Sequence, residues 1–394
     1  MTPLIHLALI LPLTATEPVL TGIDVLHRDK FETLQGCRVG LITNQTGIAR
    51  DGTSTAELLD REKGVRLVAL FGPEHGIEGK LDQAVIADGE DGERGIKIFS
   101  LYGKTRKPTP RSLAGIDVLV FDIQDVGCRF YTYISTMGLA MEAAAERDLR
   151  FVVLDRPNPI GGVLIEGPLP EPDRESFVAY HSLPLRHGLT VGELARLFKK
   201  ERELDVELEV VPVEGWNPRA DFEATGLKWV NPSPNMRSTT AAILYPGVGL
   251  WEFTNVSVGR GTATPFELLG APWIEPDAFT ATLRAEGLPG VRFEPVRFIP
   301  EASVHADREC GGTRFIVTDR GAFRPVRLGY ALGKVLNRLY PDKWNRTRAD
   351  GLLRNKHVLE AVLADEPLEV IEALVAPDLK SFEERQRGCL IYPR

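Results

Sequence analysis

From Gly22 onward, runs of consecutive apolar residues alternate with amphipathic stretches. Four runs stand out: Arg38 to Thr43 (RVGLIT), Arg66 to Phe71 (RLVALF), Asp117 to Ile123 (DVLVFDI) and Phe151 to Asp155 (FVVLD). They are continuous rather than alternating, as strands covered on both faces must be. Each gives way to a polar loop: NQTG, GPEHG, QDVG and RPNPIGG. Helical spacing fills the intervals. Ser54 to Lys63 opens with hydroxyl residues suited to capping, and Ser135 to Asp148 places Met137, Ala140, Met141 and Ala144 on one face. Thr190-Val-Gly-Glu193 has the spacing of a capping box. The pattern predicts an α/β fold with a doubly wound parallel sheet.

Between Trp216 and Pro272 the pattern breaks. Pro, Gly and Asn punctuate this stretch too heavily for regular strand-helix units. We expect a boundary near residue 240, separating a doubly wound α/β domain at 20–240 from a smaller α+β domain at 241–394. The latter would hold strands in VRFEPVRFIP and TRFIVTD and helices over Val326 to Leu339 and Val358 to Leu374. At the other end, Leu4 to Leu13 is apolar over signal-peptide length and precedes Thr14, Ala15 and Thr16. We read residues 1–16 as a weak signal peptide and expect a secreted or periplasmic protein rather than a cytoplasmic one.

Composition narrows the function. Of 394 residues, 43% are hydrophobic and 26% charged, which describes a globular chain; the net charge of -8 argues against a nucleic-acid surface. An anionic ligand would need a local arginine. Cys37, Cys128, Cys310 and Cys389 are scattered without zinc-ligand spacing and read as buried thiols. No G-x-G-x-x-G, Walker A or G-x-S-x-G motif follows a strand, which disfavours nucleotide binding and serine-hydrolase chemistry. No cofactor is implied.

Ligands of open α/β sheets bind beyond the carboxyl ends of the strands. Those ends present Asn44 and Gln45, Glu74 and His75, Asp122, Gln124, Asp125, Arg129 and Tyr131, then Asp155, Arg156, Asn158 and Glu166. Asp125 and Asp155 read as loop or cap hydrogen bonders. Glu74 is singled out because its Gly-Pro-Glu-His-Gly turn lets backbone and ligand approach closely, and a desolvated carboxyl can serve as a general acid. His75 reads equally as a proton relay or a packed loop histidine. Glu-His without a second helical histidine falls short of a zinc-hydrolase motif, so no metal site is assigned.

The motifs VGLITNQTG (39–47), LFGPEHGIEG (70–79), SLYG (100–103), GIDVLVFDIQDVGCRFYTYISTM (115–137), VVLDRPNPIGG (152–162), PSPNM (232–236) and TNVSVGRGTATPFELLGAPW (254–273) resemble the NamZ exo-β-N-acetylmuramidase family. The resemblance runs from Gly22 to Tyr392. It implies a Rossmann-like domain without nucleotide, a C-terminal domain and an active site between them. It further implies hydrolysis of terminal non-reducing N-acetylmuramic acid from peptidoglycan fragments, in cell-wall turnover and recycling. Glu74 is then the catalytic carboxylate, with His75 beside it. Asn44, Asp122, Gln124, Arg129, Tyr131, Arg156, Asn158, Glu166, Asn235, Glu252, Asn255 and Arg260 fall on family motifs and are assigned to substrate binding. Glu166 and Glu252 are candidates for a second carboxylate, and Arg129, Arg156 and Arg260 for the lactyl carboxylate. Glu78 and Cys128 depart from the family pattern. Two other readings remain open: a noncatalytic muropeptide or acidic-sugar binder, and a metal-dependent hydrolase built on His75.

Overall fold

A computed structural model describes residues 18–394. The apolar run at 4–13, and with it the expected signal peptide at 1–16, lies outside the described residues. Seven strands form the principal sheet: β1 (Arg38–Thr43), β2 (Arg66–Gly72), β3 (Gly89–Asp91), β4 (Ile96–Ser100), β5 (Val118–Asp122), β6 (Arg150–Leu154) and β7 (Leu208–Val211). Their order is β3-β4-β2-β1-β5-β6-β7, parallel throughout except for the β3–β4 pair. The chain winds outward from β1 in one direction and then, from β5, in the other. The switch point therefore falls between β1 and β5, where a crevice opens at the strands' carboxyl ends.

The apolar runs are continuous because both faces are covered. In β5, Val118 and Val120 pack into one core with Val39, Leu41 and Leu154, while Leu119 and Phe121 join another with Phe71, Met137 and Phe198. Helices α1 (Gly22–Arg28) and α2 (Thr55–Arg61) contribute to the first core, α3 (Tyr133–Ala145) and α4 (Val191–Glu201) to the second. Each fully buried large side chain contributes about 1.5–3 kcal/mol. Ser54 caps α2 by accepting from the Glu57 amide at 3.1 Å. The capping box of α4 is present: Thr190 Oγ1 accepts from the Glu193 amide and Glu193 Oε2 from the Thr190 amide. Strands β3, β4 and β7 are additions to the expected set; they are short edge-side strands with few buried residues and carry little of the apolar signal.

The punctuated stretch after Trp216 contains a helix the sequence pattern hid, α5 (Thr239–Val248), with Pro246 inside it. Beyond it come β8 (Leu268–Ala271), α6 (Pro276–Ala285), β9 (Val291–Phe298), β10 (Cys310–Val317) and α7 (Pro325–Leu339). The three strands form an antiparallel sheet in the order β8-β10-β9. Helix α5 runs so close to the start of α7 that a Cβ at Gly247 would lie 1.9 Å from the Pro325 carbonyl oxygen. Three further helices close the chain: α8 (Asp350–Leu353), α9 (Lys356–Leu363) and α10 (Leu368–Gln386). The single helix expected over 358–374 is two helices. Asp365 adopts a left-handed φ of 61° and Pro367 follows, which together end α9 and start α10. All four cysteines are free thiols.

Candidate active site

A cleft of about 780 Å³ opens between the loops after β2, β4 and β5 and the segments at 233–266 and 347–354. Glu74 lies at its centre of chemistry. The Pro73–Gly76 turn that carries it places His75 and Gly76 in the left-handed region, φ 71° and 74°. For glycine this costs nothing, but for histidine it is strain held in place by the fold. His75 Nδ1 sits 2.7 Å from the Leu81 carbonyl, which can only accept, so Nδ1 carries the proton and Nε2 is the ring's acceptor when neutral.

Glu74 is half-buried and receives two hydroxyl groups. Thr132 Oγ1 donates to its Oε2 at 2.5 Å, and the Tyr102 hydroxyl donates to the same carboxylate. Burial, then the bond to Glu74, raises the Tyr102 hydroxyl pKa well above its ordinary value, so it stays a donor. Thr132 stands immediately before α3 and Tyr102 just after β4, so two sheet-anchored loops fix one carboxylate. Beneath it, Phe130, Tyr245 and Phe266 form an aromatic floor, with ring centroids 4.9 and 4.7 Å apart along that series.

Across the cleft, Glu252 is 14% exposed and pairs with Arg260 Nη1. Burial raises the Glu252 pKa; Arg260 opposes that shift, and the charge of Glu74 adds to it. Arg260 also donates through Nη2 to Asp82, 3.0 and 2.8 Å from its two carboxylate oxygens. With its amide oxygen turned toward Arg260, Asn235 accepts from Nε at 3.2 Å and Nη2 at 3.3 Å. A second neutralised set consists of Arg174, 2.5 Å from Asp350 and 3.2 Å from Glu171. Among the described residues, Glu74 is the one carboxylate of the cleft that no basic side chain neutralises. Asp350 Oδ1, Ser176 Oγ and Arg354 Nε are buried on this wall without a protein partner, which fits a polar ligand.

The structure brings Glu74, His75, Tyr131, Asn235, Glu252 and Arg260 to the cleft and places the other sequence-assigned residues elsewhere. Arg129 is fully buried; its Nη1 donates to the Pro168 and Leu183 carbonyls and its Nη2 to those of Leu352 and Leu353. It ties segments together instead of reaching a ligand. Arg156 is bound in a buried pair with Asp122, at 2.5 Å through Nε, and Asp122 also accepts from Thr55. Asn44 accepts from the Thr46 amide and hydroxyl, and Gln124 donates to the Asp125 and Pro157 carbonyls. Asn158 braces its own loop against Leu189, Glu166 pairs with Arg186 in the interior, and Asn255 joins the segment at 343–345. These side chains spend most of their polar atoms on the fold, with Asn44 Nδ2 and Arg129 Nε buried without a protein partner. Asp125 and Asp155 do hold loops and caps: Asp125 accepts from the Gly127 amide, and Asp155 from Thr190, the Gly192 amide and Tyr392.

Sequence reasoning missed Tyr102, Thr132, Asp82, Arg106 and the residues at 347–354. Tyr102 and Thr132 sit in the SLYG and RFYTYI motifs, where a hydroxyl near a strand end was the available signal. Nothing marks TRADGLLR at 347–354, which reads as an ordinary charged loop. Among the described residues, no three His, Cys, Asp or Glu side chains converge as a metal site requires.

Comparison with known proteins agrees with this architecture. The family model described as exo-beta-N-acetylmuramidase NamZ matches its N-terminal part to residues 39–240 and its C-terminal part to residues 243–392. The peptidoglycan beta-N-acetylmuramidase NamZ of Bacillus subtilis (strain 168) is 44% identical over 384 residues, 96% of this chain and 93% of that protein. Two crystal structures of DUF1343 family proteins from Bacteroides fragilis NCTC 9343 superpose with TM-scores of 0.89 and 0.76, at 38% and 27% identity. In both cases the match covers 95% of this chain and 99% of that one. This chain therefore belongs to the NamZ exo-β-N-acetylmuramidase family.

Proposed function

We propose that this glycoside hydrolase removes terminal non-reducing N-acetylmuramic acid from peptidoglycan fragments, with Glu74 as the general acid. The observation that carries the assignment of Glu74 is its isolation: the other cleft carboxylates are each tied to an arginine, and this one is bound by hydroxyl groups alone. A carboxyl group whose Oε2 accepts from Thr132 can present its other oxygen, protonated, to the leaving glycosidic oxygen. Glu252 is the second carboxylate available in the same cleft, and most glycosidases employ such a pair. His75, with Nε2 as its acceptor, is placed to orient a water or a substrate hydroxyl.

A noncatalytic binder would have no use for a carboxylate held free of neutralising cations, and the whole-length relative is named as an enzyme. We further propose that the activity serves cell-wall turnover outside the cytoplasm, a reading supported by the apolar run from Leu4 to Leu13. Incubation with a chromogenic β-N-acetylmuramide tests the activity. Release of the chromophore is expected, and its absence under conditions where the protein is folded would overturn the assignment.

A further inference from the structure

N-acetylmuramic acid differs from N-acetylglucosamine by a lactyl ether whose carboxylate is ionised at neutral pH. An acidic protein must meet that charge with a local cation. Five arginines line the cleft, and two of them, Arg174 and Arg260, are already neutralised by carboxylates. Among the described residues, Arg106, Arg348 and Arg354 have no carboxylate within salt-bridge reach. Of these, only Arg106 is joined to the catalytic carboxylate by a short chain of contacts. Its guanidinium carbon lies 4.3 Å from the ring centroid of Phe177 and 5.9 Å from that of Tyr102, and the Tyr102 hydroxyl bonds Glu74.

The sugar whose glycosidic oxygen meets Glu74 carries the lactyl group two ring carbons away from the anomeric carbon. Arg106 enters the cleft beside Tyr102, the residue whose hydroxyl bonds Glu74, so this cation and the acid line the same cleft. Its place over Phe177 uses none of the guanidinium N–H donors, which leaves the fork open for two parallel bonds to a carboxylate. Resting on the reading of the site given above, we infer that Arg106 binds the lactyl carboxylate and sets the preference for N-acetylmuramic acid, with Phe177 as the platform that orients it. Arg348, which stacks on Phe253 at 4.7 Å, and Arg354 lie on the opposite wall and serve as internal comparisons.

The test compares a chromogenic β-N-acetylmuramide with its methyl ester, which keeps the sugar and the ether but removes the charge. The parent enzyme is expected to prefer the free acid. Arg106→Gln should lower kcat/KM on the acid roughly tenfold, the scale of a lost charge-assisted pair, and leave the ester nearly unchanged; Arg106→Lys should recover part of the loss. Because Arg106 is exposed and its side chain bonds no other residue's backbone, the variant should retain the parent Tm. A parent that does not discriminate acid from ester overturns this inference while leaving the hydrolytic function standing. So does an Arg106→Gln enzyme with the parent's preference, or a preference that collapses in Arg348→Gln or Arg354→Gln instead. A parent inactive on both compounds overturns the hydrolytic reading, and this inference with it.

Discussion

Thr132 Oγ1 donates to Glu74 Oε2 at 2.5 Å, joining the first residue ahead of α3 to the turn after β2. The bond selects which carboxyl oxygen is left for the substrate. Removing it with Thr132→Val keeps the shape and leaves the Tyr102 hydroxyl to hold the carboxyl without Thr132. We expect kcat to fall roughly tenfold with KM changed little, since one neutral hydrogen bond contributes about 0.5–1.5 kcal/mol and here acts on alignment. Thr132→Ser should restore most of the rate. If Thr132→Val and the parent have equal kcat on the chromogenic muramide, Thr132 has no positioning role.

Glu74→Gln tests the carboxyl group itself. The amide oxygen can still accept from Thr132, so the fold should be little affected, but the amide cannot transfer a proton to the leaving oxygen. Loss of general acid catalysis is expected to lower kcat by about 10²- to 10⁴-fold. A variant within a few-fold of the parent, at equal Tm, would remove Glu74 from the mechanism.

The fold was legible in this sequence to the extent that burial was two-sided. β1, β2, β5 and β6 are covered above and below, so their apolar runs survive without a partner element to interpret them. β3 and β4 lie on the sheet's outer side with exposed or half-exposed residues, and nothing in their composition separates them from loop. The site was legible in part for a related reason. Glu74 announced itself through its glycine-flanked turn, whereas Asp122, Arg129 and Arg156 have the same residue types and the same strand-end positions but spend their charge on one another or on carbonyls. A sequence shows that a charged residue stands at a strand end; it does not show whether its charge is already satisfied. The 347–354 wall could be found only from coordinates, because it meets Glu74 and Thr132 in the cleft from more than two hundred residues further along the sequence.

Arg129 is expected to matter for stability and not for specificity. Its guanidinium serves four carbonyl oxygens in a fully buried position, and burial pulls its pKa down to about 10. Arg129→Met would fill much of the volume but strand those acceptors, at a cost of about 1–3 kcal/mol for each one left unpaired. A Tm lower by several degrees or more is expected, with the acid-over-ester preference of the remaining folded enzyme unchanged. Parent-like Tm together with a lost preference would reverse this assignment.

The last prediction concerns acid. Glu201 ends α4 and is held by the final turn of α10: Arg385 donates through Nε at 2.9 Å and Nη2 at 2.6 Å, and His181 Nε2 lies 2.6 Å away. Burial acts to raise the Glu201 pKa, but the hydrogen bonds from Arg385 and His181 outweigh it and hold the group at about 2, against an ordinary value of 4.5. The folded state therefore binds this proton more weakly than the unfolded state does. Stability from Glu201 is complete above pH 4.5 and is lost as pH falls from there through about 2. With the side chain 16% exposed, the contribution at neutral pH is on the order of 2–3 kcal/mol. Glu201→Gln should be less stable than the parent at pH 7, and the gap should narrow as the pH is lowered below 4.5, because acid takes from the parent what the substitution has already removed. Urea unfolding midpoints measured from pH 7 to pH 3 provide the comparison. Two curves that stay parallel across that range would mean that the link between α4 and α10 does not depend on the charge of Glu201.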